Sequence, residues 1–355
     1  MARVRATSRR TGQRTPRRGE PKWAEWSDRQ LLDLRMCDLG LQIQGTVIEQ
    51  RVDRLYEQLE RRGLRFRPHV WLSQEWFSPD GVPGIALPFY LAHPRLMKLE
   101  QRQMGDVEGG TRDWCMRILR HEAGHAIDNA YRLRRRRRWQ QVFGLASQPY
   151  PESYRPKPFS KRHVLHLDLW YAQSHPCEDF AETFAVWLKP GSQWRRRYSG
   201  WPVLKKLQYV NTLMKEVADQ TPPVRTRQHV EPLSQIRTTL REHYSERRAR
   251  YGLDCPDPYD QDLLRMFSNA RKHAHKPSAA GFLRRLRPEI RESVLRWIGH
   301  DEYTIDQVLT EIISRCRELK LRVHEPLHKV RTDAKILVAV HTTQYLHSRR
   351  HSFTI

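Results

Sequence analysis

The pentapeptide His121-Glu122-Ala123-Gly124-His125 restricts the fold of this chain more than any other stretch, because its spacing suits an α-helix. Residues four apart on a helix lie on one face, so the imidazoles of His121 and His125 are neighbours, while Glu122 is displaced by one position. This H-E-x-x-H spacing is typical of zinc sites, with two histidine ligands and the glutamate as general base. A glycine inside a helix costs about 1 kcal/mol relative to alanine, so Gly124 indicates that another element packs closely there.

The sequence around this motif predicts one long helix and a small sheet. The helix is expected over residues 112–133, after a glycine-rich break in the chain. Capping boxes that begin at Ser27 and Thr46 predict two earlier amphipathic helices. The β-prone run 67–73 and the proline-interrupted run 81–91 predict the sheet, with 81–91 as an edge strand to which an extended peptide could add.

A zinc site with two histidines needs a third protein ligand. The residue six positions after His125 is Tyr131, so the third histidine of the longer metzincin motif is absent. A second helix, predicted over 176–189, carries Glu178 and Glu182 four residues apart on one face. Two stacked carboxylates are tolerated opposite a cation, with one on the metal and the other accepting a hydrogen bond from a ligand imidazole. The alternative is a solvated acidic face near the helix N-terminus.

The segments "RHEAGHAIDNAY" and "YAQSHPCEDFAETFAVWL" together resemble a bacterial family of zinc-binding metallopeptidases of the gluzincin type. The likeness extends over about residues 25–215. It implies a catalytic domain that holds Zn²⁺ on His121, His125 and Glu178. Some members of the family carry an N-terminal zinc ribbon, which this chain lacks because it has no CxxC pair.

The same resemblance implies roles for residues around the metal. Glu122 is the expected general base, and Glu182 the expected partner of a ligand imidazole, although the two helix glutamates could exchange roles. Gluzincins similar to lethal factor place a tyrosine two turns before the ligand glutamate, and Tyr171 has that spacing here. We therefore expect Tyr171 to stabilise the oxyanion that forms during hydrolysis. His166 and His175 are competitors for this role or for the third ligand position.

The chain is long enough for two domains, and its patterns predict an α+β protein. The expected zincin-like catalytic domain has a small sheet with an edge strand over the H-E-x-x-H helix and a glutamate helix. A mainly helical, basic C-terminal region of unknown role follows it. The predicted divisions are a flexible basic tail over 1–20, the catalytic domain over 21–220, a linker over 221–230 and the C-terminal domain over 231–355.

The charge of the chain predicts a polyanionic partner. There are 64 lysines and arginines against 40 acidic residues, which gives a net charge of +24. Such a charge favours nucleic acid or another polyanion as partner, bound through the arginine-rich N-terminal tail and the run Arg134, Arg135, Arg136, Arg137 and Arg138. A solvated helix end favoured by the helix dipole is the alternative for this run.

Two functions are consistent with these patterns. The first is a zinc-dependent metallopeptidase that hydrolyses peptide bonds in a peptide or protein substrate, with Glu122 as general base. The second is a basic, nucleic-acid-associated binding protein with a structural or vestigial zinc site. No run approaches the roughly 18 apolar residues of a membrane span, and no apolar signal segment follows the N-terminal arginines, so we expect a cytoplasmic location.

Overall fold

The computed structural model describes residues 20–151, 153–154, 156–157, 160–250, 259–298, 302–347 and 353–354, so the tail predicted over 1–20 lies almost entirely outside the described residues. The first helices are α1 (Asp28–Leu32), α2 (Val47–Arg61), α3 (Pro94–Met104), α4 (Arg112–Tyr131) and α5 (Arg137–Phe143). They are followed by α6 (Pro176–Leu188), α7 (Trp194–Arg197), α8 (Leu204–Val217), α9 (Leu240–Arg250) and α10 (Asp260–Met266). The last are α11 (Ala279–Ile298), α12 (Glu302–Glu318) and α13 (Leu327–His347). The strands are β1 (His69–Ser73), β2 (Gly84–Pro88), β3 (Ser153–Tyr154) and β4 (Phe353–Thr354).

Hydroxyl side chains cap α1, α2 and α4, although only the first of the two predicted capping boxes forms completely. Ser27 Oγ accepts a hydrogen bond from the Gln30 amide at 3.4 Å, and the Gln30 side chain accepts one from the Ser27 amide at 3.1 Å. Thr46 caps α2 with one bond of this kind, and Thr111 caps α4. Each cap pairs an amide that the first helical turn leaves without a partner, which fixes where the helix begins.

The small sheet differs from its prediction in one respect. Strands β1 and β2 pair in parallel, with Val70 opposite Ile85, and all five residues of β2 are buried. On the other side of β2, the Ala86 amide donates a hydrogen bond to the Phe77 carbonyl at 2.8 Å. The expectation of an open edge strand is therefore wrong at Ala86, because an added peptide would have to displace Phe77.

Helices α4 and α6 approach each other closely at Gly124. A Cβ atom built on Gly124 would lie 2.8 Å from the Cα atom of Ala181 and 3.2 Å from its Cβ atom. Neither helix could keep its place with a side chain at that point, which is the reason for the glycine. Phe180 and Phe184 of α6 are fully buried in the surrounding core. The close approach predicted from the mid-helix glycine is confirmed.

The described part of the chain has two large hydrophobic cores and a small separate cluster of Trp71, Val82 and Ala86. The first runs from Trp23 to Tyr244 and includes Leu233 and Leu240, which follow the segment 221–230 predicted as a linker. The second is built by α10 to α13. The architecture is mostly helical with a small parallel sheet, which is consistent with the α+β class. The predicted division of the chain into domains stays a prediction.

No helix among the described residues is both long enough and apolar enough to cross a membrane. The cytoplasmic location stays a prediction.

A buried histidine in the first core should make its stability depend on pH. His243 of α9 packs against Phe89, and its ring bonds the Gln74 side chain at 2.9 Å. Burial, together with the positive charges of Arg247 and Arg250, lowers the pKa of His243 to about 3. The pKa of this side chain in the unfolded chain is about 6.5. Below that pH the unfolded state therefore binds a proton that the folded state does not bind. As far as His243 is concerned, the free energy of unfolding is therefore highest above about pH 6.5, and it decreases as the pH falls towards 3.

We expect a His243→Leu variant to lose stability less steeply than the wild type between about pH 6.5 and 4. The difference should be about 1 kcal/mol per pH unit, the linkage of one proton. Urea unfolding across this range measures it, with the exposed His275 replaced by leucine as the control. Equal slopes in wild type and His243→Leu would contradict the assignment.

Candidate metal centre

Two adjacent helices bring three ligand atoms together. Nε2 of His121 lies 3.0 Å from Oε2 of Glu178, and Nε2 of His125 lies 3.1 Å from the same oxygen. The two histidine nitrogens are 3.1 Å apart. Within the described part of the chain, this is the His/Cys/Asp/Glu group that could hold a metal ion. Tetrahedral ligands on zinc at about 2.1 Å are about 3.4 Å apart, so the three atoms fit zinc after separating by a few tenths of an ångström.

Glu182 lies behind His121 rather than beside the other ligand atoms. Its Oε1 accepts a hydrogen bond from Nδ1 of His121 at 2.8 Å, and its Oε2 accepts one from the Leu167 amide at 2.7 Å. In a neutral His121 ring whose Nδ1 donates in this way, the lone pair is on Nε2, where a metal can take it. The arrangement therefore gives Glu178 and Glu182 the different positions that the sequence left exchangeable.

The buried carboxylates of this group need positive charge beside them. Burial raises the pKa of Glu178, but the charge of His125 and hydrogen bonds from His121 and His125 outweigh it and hold the pKa well below its usual value. Burial lowers the pKa of His121, yet the hydrogen bonds and charges of Glu178 and Glu182 raise it well above its usual value. A cation is thus favoured at this point, either a shared proton or a metal ion.

Glu122 is buried next to the ligands on α4 and has a free acceptor. Its Oε2 atom has no hydrogen-bond partner among the described residues. Its backbone carbonyl accepts a hydrogen bond from Ser78 Oγ at 3.2 Å, which ties this turn of α4 to the segment before β2. A buried carboxylate oxygen without a partner is unusual in a folded protein and suits a group that accepts a proton from bound water.

Tyr171 lies against the histidine side of the group, in a 3₁₀ turn over Asp168–Gln173. Its ring centroid is 5.6 Å from that of His121. Burial, with the negative charges of Glu178 and Glu122, raises the pKa of Tyr171 above its usual value. The phenol therefore stays protonated and can donate a hydrogen bond.

Tyr150 reaches the same group and was not predicted from the sequence. Its hydroxyl donates a hydrogen bond to Oε1 of Glu178 at 2.8 Å, and its ring stacks on His175 with centroids 3.9 Å apart. Although 49% of Tyr150 is exposed, partial desolvation and the charge of Glu178 raise its pKa above its usual value, so it too stays a donor. It lies in the irregular segment before β3, where no periodicity indicates which side chain faces the site.

His166 and His175 have structural partners and are not part of the ligand group. The ring of His166 donates from Nε2 to the carbonyl of Arg117 at 3.0 Å, and burial lowers its pKa to about 4. Nδ1 of His175 accepts from the Cys177 amide at 3.2 Å and caps α6, while its Nε2 donates to the Gln148 carbonyl. Both histidines hold the surroundings of the site in place.

The arginine run does not form one solvated helix end. Helix α4 ends at Tyr131, and Arg134 binds Asp128 at 2.5 Å and Asp80 at 2.8 Å. It thereby ties the end of α4 to the loop before β2. Arg136 pairs with Glu216 at 2.9 Å. The exposed members of the run are Arg135, Arg137 and Arg138. Binding of nucleic acid through these arginines stays a prediction.

Residues 115–193 match a family model described as "Putative zinc-binding metallo-peptidase". The matched segment begins within α4, ends after α6, and includes the three candidate ligand residues, Glu182 and both tyrosines. Comparisons with curated proteins and with solved structures give no significant match. The family resemblance and its metal, zinc, are thus confirmed over this segment, which is less than half of the chain. The resemblance inferred for residues 25–114 and 194–215 stays a prediction.

Proposed function

We propose that the chain is a zinc-dependent metallopeptidase with a gluzincin type of site in a zincin-like domain. The observation that carries the proposal is the His121, His125 and Glu178 group, with Glu182 hydrogen-bonded behind His121. Three protein ligands leave a fourth position open, which is the arrangement of catalytic rather than structural zinc sites. A structural site would be closed by a fourth protein ligand, and no fourth member joins the group among the described residues.

Zinc held by these three residues would lower the pKa of water and polarise a peptide carbonyl. Glu122, with its partnerless Oε2, takes a proton as the water attacks and later delivers it to the leaving amine. The protonated phenol of Tyr171 donates a hydrogen bond to the oxygen that gains negative charge. Glu182 keeps the ring of His121 in one tautomer and one orientation throughout.

The rival function is a basic binding protein with a vestigial zinc site. The net charge of +24 supports it, and so do the three exposed arginines of the run. A binding protein has no need of the partnerless carboxylate oxygen of Glu122, whereas a peptidase needs it as the general base. Salt-sensitive binding of DNA or RNA that is unchanged in a Glu122→Gln variant, without any peptide hydrolysis by the wild type, would favour the rival.

Zinc content, measured by elemental analysis of the purified full chain, tests the ligand set. We expect about one zinc per wild-type chain, and a loss of zinc in His121→Ala and Glu178→Ala, because each removes a direct ligand. Glu182→Ala should retain the site but bind zinc about 10- to 100-fold more weakly, because only the orientation of His121 is lost.

The exposed His275, which lies outside the site, provides the control through His275→Ala. Zinc lost in Glu182→Ala but kept in Glu178→Ala would exchange the roles of the two glutamates. A wild-type chain that takes up no zinc after reconstitution would refute the proposal.

A further inference from the structure

Arg120 is a buried cation without a matching anion. It precedes His121 on α4 and is only 8% exposed. Its Nε donates a hydrogen bond to the side-chain oxygen of Gln58 at 2.8 Å, and no ion pair with a carboxylate is found for it among the described residues. Buried guanidinium groups are normally paired, so this position calls for an anion.

Arg120 lines a cavity of about 470 Å³ between α2, α4 and the end of α6. The other cations on its wall are Arg54, Arg61, Arg112, Arg117 and Lys189. The acids on the wall are Glu57, which pairs with Arg61 at 3.6 Å, and Asp113. Arg117 pairs with Asp168 outside the cavity wall at 3.1 Å. The remaining cations outnumber the acids that line the cavity, so its wall has an excess of positive charge.

We propose that this cavity binds a small anion that carries a phosphate group, with Arg120 donating to the phosphate oxygens. A phosphate group has close to two negative charges at neutral pH and several strong acceptors, which suits a wall with this excess of cations. The planar guanidinium of arginine matches two phosphate oxygens at once. The volume falls within the range of small-ligand sites.

The site is distinct from the zinc group, since none of its lining residues is a ligand or a member of the proposed catalytic set. Binding of the anion therefore does not depend on the proposed peptidase activity.

Titration calorimetry on the full chain, with inorganic phosphate and with adenosine monophosphate as probes at constant ionic strength, tests the proposal. We expect wild type to bind at least one probe and Arg120→Gln to bind it about tenfold or more weakly. Arg271→Gln provides the control, because Arg271 is an exposed arginine outside both the cavity and the run of five arginines. Tighter binding of the nucleotide would identify an organic phosphate as the ligand, and equal or tighter binding of phosphate would identify the free ion.

A second variant decides the question if Arg120→Gln does not fold. Arg112 and Lys189 are exposed on the cavity wall, so their joint replacement by glutamine should leave the fold intact and still weaken binding several-fold. The proposal is overturned if neither probe binds the wild type at millimolar concentration. It is also overturned if the folded cavity variants bind as the wild type does, or if Arg271→Gln weakens binding as much as they do.

Discussion

Replacing Glu122 with glutamine is expected to lower peptide hydrolysis by about 10²- to 10⁴-fold, the usual contribution of a general base. Glutamine has nearly the shape of glutamate but cannot take a proton from water at neutral pH. Because Glu122 is not in the ligand group, the variant should keep its zinc. Hydrolysis of fluorescein-labelled casein and zinc content, measured on the same preparations, check both parts of the prediction.

Glu246→Gln is a suitable control, because it removes an exposed carboxylate of α9 far along the chain from the site. It should hydrolyse casein at the wild-type rate. Activity of Glu122→Gln within a few-fold of wild type would remove Glu122 from the mechanism. Loss of zinc together with activity would instead show that Glu122 supports the metal.

The second large effect is expected at the contact between the two site helices. In an ordinary exposed helix, Gly→Ala stabilises by about 1 kcal/mol. At Gly124 the added methyl group would lie 2.8 Å from the Cα atom of Ala181, and backbone cannot move aside cheaply. We expect Gly124→Ala to destabilise the first core by about 1–2 kcal/mol net, because the cost of overpacking exceeds the gain in helix propensity.

The same substitution should also weaken zinc binding, since pushing α6 away from α4 moves Glu178 away from the histidines. Gly281→Ala in α11 is the matched control, because its nearest heavy atoms would be 3.8 Å away and no shift is needed. It should be neutral or stabilising by up to about 1 kcal/mol. Thermal unfolding followed by circular dichroism compares the two variants, and a stabilised Gly124→Ala would contradict the packing argument.

The parts of the site that could be predicted from the sequence are those that depend on helical spacing. Residues four apart share a face of any α-helix, because the helical period fixes which side chains are neighbours. This applies to His121 with His125 and to Glu178 with Glu182, independently of the tertiary structure. The glycine between the histidines indicated close contact for an equally local reason. Which glutamate faces the metal was open, because it depends on how α6 is rotated against α4.

The remaining features depend on contacts between distant segments. Tyr150 reaches Glu178 from an irregular loop, and the Leu167 amide holds Glu182 from another. Phe77 covers the strand edge at Ala86 through a backbone bond that no side-chain pattern indicates. Arg134 looked like one of five equivalent arginines, yet it alone of the run binds the buried carboxylate of Asp128. Backbone groups and loop side chains leave no periodic signal in a sequence.

The contact between Gly124 and Ala181 has a consequence for how the metal is acquired. Because two helices meet there without an intervening side chain, helix packing by itself sets the relation between the candidate ligands on α4 and α6. The site is thus preorganised, and little conformational entropy remains to be lost when zinc enters. In small zinc-finger modules, by contrast, binding free energy is consumed in folding the chain. Here no binding free energy is needed to bring the two helices together.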